Sequence, residues 1–320
     1  MLSRRIILAA AIASPLATAA HAESFPEFLA SVRGQALRSG ISQTTVDRAL
    51  ARIRPNPQVI EHDRHQPEFT LTWAEYRARV LSEQKMANGR VAFRDNARLL
   101  SAVSERYRVA PGIVVGIWGL ESAYGAITGD YNVIEALATL GWEGRRANFF
   151  RTHLITALRI LDEGDVSFSR MTGSYAGAMG QPQFMPDSFV RYAVDFDNDG
   201  RRDIWDSKPD VLGSIANYLA KNGWRSGEPW SQPIVVPDNF DPRLAGRETP
   251  RSLGEWEQLG VRRADGARVA HPEVPGAVLL PDGPGGDAFM TYANFNVVRR
   301  YNPSDFYALA VGLLADSVII

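Results

Sequence analysis

The chain has 320 residues, of which 45% are hydrophobic and 22% charged, so it can bury the core of one large domain or of two smaller ones. Its formal charge is −1, and no basic stretch is interleaved with aromatic residues, which argues against a nucleic-acid partner. The absence of cysteine excludes disulfides, thiolate catalysis and cysteine-ligated metals. Any chemistry must therefore use oxygen or imidazole groups.

The N-terminus has the pattern of an export signal. Arg4-Arg5 precedes an apolar run over residues 6–20, and a small-residue cleavage pattern ends at Ala22. This predicts a signal peptide over residues 1–22. A membrane anchor is the alternative, but the run is shorter than the ~20 residues of a membrane span and contains Pro15. Without a cysteine at the cleavage site a lipoprotein is excluded, and we expect a periplasmic protein with no membrane span.

The first half of the chain reads as helical. Apolar residues recur at helical spacing from Phe25 to about Tyr107, which predicts an N-terminal helical region over residues 23–110. Ala110-Pro111 opens another helix that is apolar on most faces, and we expect it to be buried and to end at Gly125. Further helices are predicted over residues 132–140, 148–161 and 304–314.

Residues 224–293 have a different texture, with proline, glycine and aspartate accumulating. Residues 278–280 and 289–292 read as short strands, and Asp265-Gly266 gives a hairpin signal inside Val261–Val269. One helix is expected after Ser252, which has capping-box spacing to Glu255. The predicted fold class is therefore mainly α (α+β), with a core over residues 111–223, a small antiparallel β subdomain, and a segment over 294–320 that returns to the helical body.

Glu121 is a candidate general acid. It stands at the end of the most hydrophobic helix of the chain, where the negative end of the helix dipole and low-dielectric neighbours both disfavour ionisation. Both effects raise the pKa of its carboxyl group, as a general acid near neutral pH requires. A solvated glutamate in a last helical turn is the alternative, and the position alone does not decide between them.

The segment over residues 173–186 reads as a binding loop. Its many glycines let a ligand approach the backbone, and Ser174 and Gln183 offer hydrogen bonds. A tightly packed loop without a ligand is the alternative. Ser174 does not stand in a G-x-S-x-G motif and has no histidine–acid pair nearby, so a serine hydrolase is a poor fit.

Three segments together resemble the B-type lytic murein transglycosylases: Glu121-Ser122-x-Tyr124-Gly125, then Gly177-Ala178-Met179-Gly180-x-x-Gln183-Phe184-Met185-Pro186, and Asn294-Phe295 through Tyr301-Asn302. The likeness runs from Gln66-Pro67 to Tyr307-Ala308, nearly the whole mature chain. It implies a lysozyme-like core that cleaves the β-1,4 bond between N-acetylmuramic acid and N-acetylglucosamine in peptidoglycan glycan strands. The product would carry a 1,6-anhydromuramoyl end.

The resemblance also implies roles for individual residues. Glu121 falls on the family's single catalytic acid/base, and Tyr301 would donate a hydrogen bond to it. Ser174 and Asn302 would orient the acetamido group of the substrate. The remaining substrate-binding residues would line the sugar subsites: Gln183, Phe184, Tyr76 and Tyr124.

Ordinary glycosidases need two carboxylates, and no second one appears in these motifs. A lone glutamic acid suffices if the substrate's N-acetyl oxygen stabilises the oxocarbenium-like centre and its own C6 hydroxyl attacks. A muramidase that uses water and a non-catalytic, calcium-stabilised wall-binding protein are the alternatives. No organic cofactor is expected, and cell-wall synthesis proteins are possible partners.

Residues 195–206 read as an EF-hand-like calcium loop. Carboxylates stand at positions 1, 3, 5, 9 and 12, Gly200 allows the sharp turn, and a backbone carbonyl is available at position 7. Asp206 replaces the longer glutamate that is usual at the last position, which predicts weak binding of a structural Ca²⁺; an acidic surface turn is the alternative. The resembling family also carries such a site here. The predicted ligands are Asp195, Asp197, Asp199, Arg201, Asp203 and Asp206.

Two further groups of polar residues have simpler interpretations. Glu61-His62-Asp63-Arg64-His65 lacks a third ligand of known spacing, so we expect a solvated charged turn rather than a metal site. His153 lies beside Phe150 and Leu154 on a predicted helix, and we expect it to serve packing.

Overall fold

The computed structural model describes residues 23–64, 71–268 and 271–319, so the predicted signal peptide lies outside the described residues. The helices are α1 (Phe25–Arg38), α2 (Gln43–Leu50), α3 (Pro57–Arg64), α4 (Trp73–Val80), α5 (Glu83–Asp95), α6 (Ala97–Tyr107), α7 (Pro111–Ser122), α8 (Val133–Glu143), α9 (Ala147–Glu163), α10 (Pro186–Tyr192), α11 (Lys208–Lys221), α12 (Leu253–Gln258), α13 (Ala293–Tyr301) and α14 (Asp305–Val318). The strands are β1 (Tyr131–Asn132), β2 (Thr172–Gly173), β3 (Ser231–Val235), β4 (Arg251–Ser252), β5 (Arg262–Arg263), β6 (Pro275–Leu279) and β7 (Phe289–Thr291). The prediction of a mainly α chain with a minor antiparallel sheet is confirmed.

The N-terminal helices begin where side chains satisfy free backbone N–H groups. Ser24 and Thr72 each form a capping box with the glutamate three residues later, and the Ser82 hydroxyl accepts the N–H of Lys85. Six helices therefore occupy the region from Phe25 to Tyr107 that was predicted to be helical.

The charged segment after Pro57 is a helix and not a solvated turn, so that prediction is wrong. Asp63 at the end of α3 is 4% exposed and forms ion pairs with Arg145 and Arg146, which follow α8. These partners lie about eighty residues further along the chain, and no local sequence pattern predicts the contact. His65 lies outside the described residues.

The α7 helix runs through the middle of the fold and begins at Pro111, as predicted. It ends at Ser122 and not at Gly125, because Ala123 and Tyr124 already have left-handed φ angles of 48° and 62°. Non-glycine residues in that region carry strain, which is typical of functional sites. Glu121 thus stands in the last turn of α7.

The α7 and α14 helices pack closely because two glycines of α7 face the backbone of α14. A Cβ atom on Gly112 would lie 2.9 Å from the carbonyl oxygen of Ala315, and one on Gly116 would lie 2.6 Å from that of Val311. The residue numbers rise along α7 while they fall along α14, so the two helices are antiparallel. The next step along this ladder brings Glu121 to Tyr307.

The remaining helices and one small ladder surround this pair. The α8 and α9 helices pack on each other, and α9 ends at Gly164, whose φ of 84° makes it the predicted cap. β1 pairs antiparallel with β2, with Tyr131 opposite Gly173. This ladder brings the start of the glycine-rich loop beside the segment that follows α7.

The other strands form one antiparallel sheet in the order β4-β6-β7-β3-β5. Strands β6 and β7 and the capping box of α12 agree with the sequence. The predicted hairpin at Asp265-Gly266 is wrong, because β5 pairs with Ile234 and Val235 of β3; Val269 lies outside the described residues. The sheet has a small core of its own, formed by Ile234, Leu253, Trp256, Val261, Val278, Ala288, Met290 and Tyr292.

Trp230 joins the sheet to the helical body. Its ring lies so close to Gly312 of α14 that a Cβ atom there would be 2.3 Å away, and its indole nitrogen lies 3.3 Å from both carboxylate oxygens of Asp316. In the described part of the chain, no helix is long and apolar enough to cross a bilayer.

The close approach of α7 and α14 makes a prediction about stability. Gly116→Ala should lower the free energy of unfolding by about 1–3 kcal/mol, because the new methyl group meets a backbone carbonyl that cannot rotate away. Gly34→Ala is the matched control, since its Cβ meets only the mobile end of Arg38 at 3.2 Å and should be neutral or stabilising. Urea unfolding of both variants measures this, and equal stabilities would contradict the packing argument.

Candidate active site

Glu121 is a partly buried carboxyl group beside the aromatic side chains of α13 and α14. Burial raises the pKa of Glu121 to about 7, while the hydrogen bond from Tyr307 and the charge of Lys85 lower it. A carboxyl group with this pKa is protonated in a substantial fraction of molecules at neutral pH. The sequence-based expectation of a raised pKa therefore agrees with the geometry.

Tyr307, and not Tyr301, donates the hydrogen bond to Glu121. The Tyr307 hydroxyl lies 2.5 Å from Oε1 of Glu121, and the side chain is 5% exposed. The Tyr301 hydroxyl instead donates to the carbonyl oxygen of Pro182 at 2.6 Å. The predicted partner was wrong because the first turn of α14, not the end of α13, faces α7.

Lys85 interacts with the acid through its charge, and Tyr124 contacts Lys85. Burial lowers the pKa of Lys85, and the charge of Glu121 raises it. The Tyr124 hydroxyl donates to the backbone carbonyl of Lys85 at 2.9 Å, and its ring packs edge-on against Trp118 at 5.8 Å. Tyr124, predicted to bind substrate, is therefore engaged in holding α5 against α7.

The glycine-rich loop holds Ser174 and Gln183 in fixed positions. The Ser174 oxygen accepts the backbone N–H of Ala176 at 3.3 Å and of Ala178 at 3.1 Å, so its own proton is free to donate elsewhere. Gln183 has a left-handed φ of 53°, and its amide nitrogen donates to the carbonyl of Thr128 at 2.9 Å. The side-chain oxygen of Gln183 makes no hydrogen bond among the described residues.

Gln181, which was not singled out from the sequence, connects this loop to α7. It is 7% exposed, accepts the indole N–H of Trp118 at 2.8 Å and donates to the carbonyl of Trp205 at 2.7 Å. The glycine-rich loop, the acid-bearing helix and the end of the predicted calcium loop are thus fixed to one another. The sequence signal that could have indicated this connecting role is the amide side chain at position 181, inside the glycine-rich motif.

Phe184 differs from the role predicted for it, whereas the role of Tyr76 as a subsite residue stays a prediction. Phe184 is 2% exposed and packs against Tyr301 at 5.8 Å, so it belongs to the core and does not line a subsite. Tyr76 is half-buried against Trp73 and Phe306, with ring centroids at 6.3 and 5.7 Å. It raises the pKa of Tyr307, which places it near the acid.

Asn302 begins a short relay of hydrogen bonds that leads back to the acid. Its side-chain oxygen accepts the N–H of Ser304 at 3.2 Å, and the Ser304 hydroxyl accepts the N–H of Tyr307 at 3.3 Å. The exposed amide nitrogen of Asn302 remains available to a ligand. The turn before α14 therefore fixes Asn302 and Tyr307 together.

The acidic loop gathers three carboxylates, but not the set predicted. Single oxygens of Asp195, Asp197 and Asp210 all lie within 4.8 Å of one another. Burial, with the neighbouring charges of Asp197 and Asp195, raises the pKa of Asp210 to about 6, although hydrogen bonds from the backbone N–H groups of Phe196 and Asp203 lower it. Three mutually repelling carboxyl groups around one point fit a hard cation with oxygen ligands.

The carboxylates of three other predicted ligands have partners outside this cluster, while the Arg201 carbonyl stays a prediction. Asp206 forms an ion pair with Arg170, Asp199 forms one with Arg201, and Asp203 accepts the N–H groups of Trp205 and Asp206. Asp206 is therefore wrong as the last ligand. Asp210 takes the place of Asp206 in the cluster, because helix α11 carries that carboxylate back over the loop, beyond the twelve residues of the ordinary pattern.

Within the described residues, no second carboxylate contributes to the electrostatic environment of Glu121. Glu121 can therefore donate and recover a proton, and among the described groups that shift its pKa there is no carboxylate to act as a nucleophile or as a base for water. The groups around it are hydroxyls, amides and one amine. This combination fits a reaction in which the substrate supplies its own nucleophile.

The comparisons with known proteins agree with this geometry. A model of the transglycosylase SLT domain matches residues 24–316. The chain belongs to this family. Membrane-bound lytic murein transglycosylase B of Escherichia coli is 33% identical over 250 residues, which cover 78% of this chain and 68% of the relative. The predicted family and the prediction of an enzyme are confirmed.

Solved structures of the family have the same fold. SltB3 of Pseudomonas aeruginosa, in complex with NAG-anhNAM-pentapeptide, has a TM-score of 0.90 and 46% identity and covers 93% of this chain and 80% of its own. The Escherichia coli lytic transglycosylase Slt35, in complex with calcium, has a TM-score of 0.79 and 29% identity, covering 91% and 92%. The predicted fold class is confirmed.

The pKa of Glu121 makes a prediction about pH dependence. The acid must be protonated in the first step, so kcat/KM should fall as the pH rises through about 7. Tyr307→Phe removes a hydrogen bond that favours the carboxylate and so raises the pKa of Glu121. The alkaline limb of the pH profile of kcat/KM should therefore move to higher pH. Initial rates on purified peptidoglycan between pH 5 and 9 measure this. A limb that moves to lower pH in the variant would contradict the assignment.

Proposed function

We propose that this chain is a lytic transglycosylase that cleaves the β-1,4 bond between N-acetylmuramic acid and N-acetylglucosamine of peptidoglycan, with Glu121 as its single acid/base. The observation that carries the proposal is a carboxyl group of pKa about 7, held by Tyr307, without a second carboxylate in its described surroundings. The sugar-peptide ligand bound to the relative SltB3 contains an anhydromuramoyl unit, which supports this product.

In the first step, the protonated Glu121 donates its proton to the glycosidic oxygen. The C1–O bond breaks, N-acetylglucosamine leaves as the alcohol, and positive charge develops at C1 of the muramoyl unit. The substrate's own acetamido oxygen stabilises C1. The Tyr307 hydroxyl stabilises the Glu121 carboxylate that remains, because it donates to Oε1 and leaves the other oxygen for the substrate.

In the second step, Glu121 acts as a base. Its carboxylate removes the proton of the C6 hydroxyl, the C6 oxygen bonds to C1, and the 1,6-anhydro ring closes while Glu121 regains its proton. Water is not consumed. Because the nucleophile belongs to the same sugar, its high effective concentration replaces the second carboxylate of an ordinary glycosidase.

Three polar groups are available to orient the substrate. The Ser174 hydroxyl proton, the Gln183 amide oxygen and the Asn302 amide nitrogen remain free of partners among the described residues, while the opposite atom of each group is fixed by the backbone. Donors at Ser174 and Asn302 suit the acetamido oxygen, and the acceptor at Gln183 suits a sugar hydroxyl.

The setting of this activity is the periplasm, where peptidoglycan lies. The apolar run and cleavage pattern before Glu23 support export, as does the similarity to cell-wall enzymes. Glycan strands are the partner; cell-wall synthesis proteins would be further partners.

The acidic loop is proposed to hold a structural Ca²⁺ through Asp195, Asp197 and Asp210. Their convergence supports this, and the relative Slt35 binds calcium. The ion would fix the segment between α10 and α11. None of these three carboxylates shifts the pKa of Glu121, so we assign the ion no part in proton transfer.

The central prediction concerns the product. Glu121→Gln should lower the release of anhydromuropeptides by at least 10³-fold, because an amide keeps the shape but cannot transfer the proton. Ser174→Ala, which removes one orienting hydrogen bond, should cost about 10- to 100-fold. Mass spectrometry of digested peptidoglycan measures both.

Glu135→Gln on α8 is a control, because that carboxylate accepts a structural hydrogen bond from Asn56 and should leave the activity unchanged. Products heavier by one water would identify a hydrolase. An active Glu121→Gln variant would reject the single acid/base, and a wild-type chain that binds glycan without releasing fragments would be a binding protein.

Calcium should stabilise the chain through the acidic loop. At calcium ten times above Kd, an ion that binds only the folded state adds about 1.4 kcal/mol to the free energy of unfolding. Asp197→Asn should abolish this gain, whereas Asp206→Asn should retain it, because Asp206 pairs with Arg170. Thermal melts with EDTA and with millimolar calcium measure the difference. If both variants lose the calcium-dependent stabilisation equally, the result would support the twelve-residue ligand set instead.

A further inference from the structure

An ion-pair cluster joins the sheet subdomain to α13 and to the first turn of α14. Asp305, the first residue of α14, pairs with Arg299 of α13 and also with Arg247, whose Nε lies 2.9 Å from Oδ1. All three side chains are largely buried, with exposures of 31%, 18% and 23% for Asp305, Arg299 and Arg247. Arg247 comes from the sheet subdomain and not from the helical body.

We propose that Arg247 is a positioning residue for the acid. Arg247 acts through Asp305 on the turn that carries Asn302 and Tyr307. The proposal rests on the assignment of Glu121 as the acid/base. It makes the small β subdomain a working part of the active site, because its arginine holds the first turn of α14 in register with α7.

The base of Arg247 is fixed by the sheet. Gly246, the residue before it, has a φ of 127° and donates its N–H to the carbonyl oxygen of Val278 in β6 at 2.8 Å. A φ in that region favours glycine, so the chain turns here to bring Arg247 over α14. The guanidinium is also held by Glu248, whose Oε1 lies 3.3 Å from Nη1.

A series of contacts leads from Asp305 to the acid. Arg299, the other partner of Asp305, donates to the carbonyl of Pro303 at 2.6 Å and so fixes the turn before α14. Within this turn lies the relay in which Ser304 accepts the N–H of Tyr307. Tyr307 then donates to Glu121. Tyr307 stands two positions after Asp305 in the sequence, and both lie in the first turn of the same helix.

The consequence for catalysis follows from the short Tyr307–Glu121 hydrogen bond. If Arg247 is removed, Asp305 keeps one cation, and the turn is held only from α13. A small displacement of Tyr307 then weakens its bond to the carboxylate, which lowers the rate of a reaction that depends on a pre-positioned acid. Lys85 from α5, Tyr301 from α13 and Tyr307 from α14 are the titratable groups that face Glu121 in the described chain.

The test compares two arginines of the same loop in the full chain. Arg247→Met should lower kcat about tenfold with KM within twofold, because it disturbs the acid and not the sugar contacts. Arg243→Met is the matched control, since within the described residues its guanidinium pairs only with Asp241, two positions before it, and its side chain is 90% exposed. That variant should have wild-type kcat.

Two readouts separate positioning from a merely structural role. The alkaline limb of kcat/KM should move to higher pH in Arg247→Met, in the same direction as in Tyr307→Phe. The double variant Arg247→Met/Tyr307→Phe should be no slower than Tyr307→Phe within about twofold, since both changes remove one interaction. Arg247→Lys, which keeps the charge, should restore part of kcat.

Several outcomes would overturn the proposal: equal kcat in Arg247→Met and Arg243→Met, an unmoved alkaline limb, or rate losses that multiply in the double variant. If Arg247→Met does not fold, Arg247→Gln, which also removes the charge, is measured in the same way, and a wild-type kcat and pH limb in it would overturn the proposal. An active Glu121→Gln variant would instead reject the proposed acid/base, so the two failures are distinguishable.

Discussion

The antiparallel packing of α7 against α14 is the constraint on which the site depends. Gly112 and Gly116 allow the two backbones to approach within contact of each other, and this fixes how far each helix extends past the other. Glu121 and Tyr307 meet because they stand one further turn along that ladder. The same packing buries the carboxyl group, so the feature that stabilises the core also raises the pKa of the acid.

Burial alone would raise the pKa of Glu121 further and so disfavour the release of its proton. The hydroxyl of Tyr307 and the amine of Lys85 lower the pKa from the value that burial would give, and about 7 is the balance of these effects. A group near neutrality can act as acid and then as base within one turnover, as a chain with one carboxylate requires. The α5 helix, α7 and α14 each supply one member of this balance.

The sequence predicted the features that depend on neighbouring residues, but it did not predict contacts between segments that are distant along the chain. Proline at the start of α7, the cap at Gly164 and the acid in the last turn follow from neighbouring residues. The partner of Glu121 was misassigned to Tyr301, because only the tertiary packing shows which turn of the C-terminal segment faces α7. Asp210 was missed for the same reason, since its helix returns to the loop from outside the motif.

The claim at the centre of this account is that one carboxyl group, raised in pKa by burial and held by Tyr307, performs both proton transfers. It is tested most directly by ¹³C NMR titration of the glutamate side-chain carboxyl carbons, with the Glu121 resonance assigned by its absence from Glu121→Gln. The account predicts a midpoint of about 7 for that resonance, well above the other glutamates. A midpoint near 4.5, the ordinary value for glutamate, would contradict it.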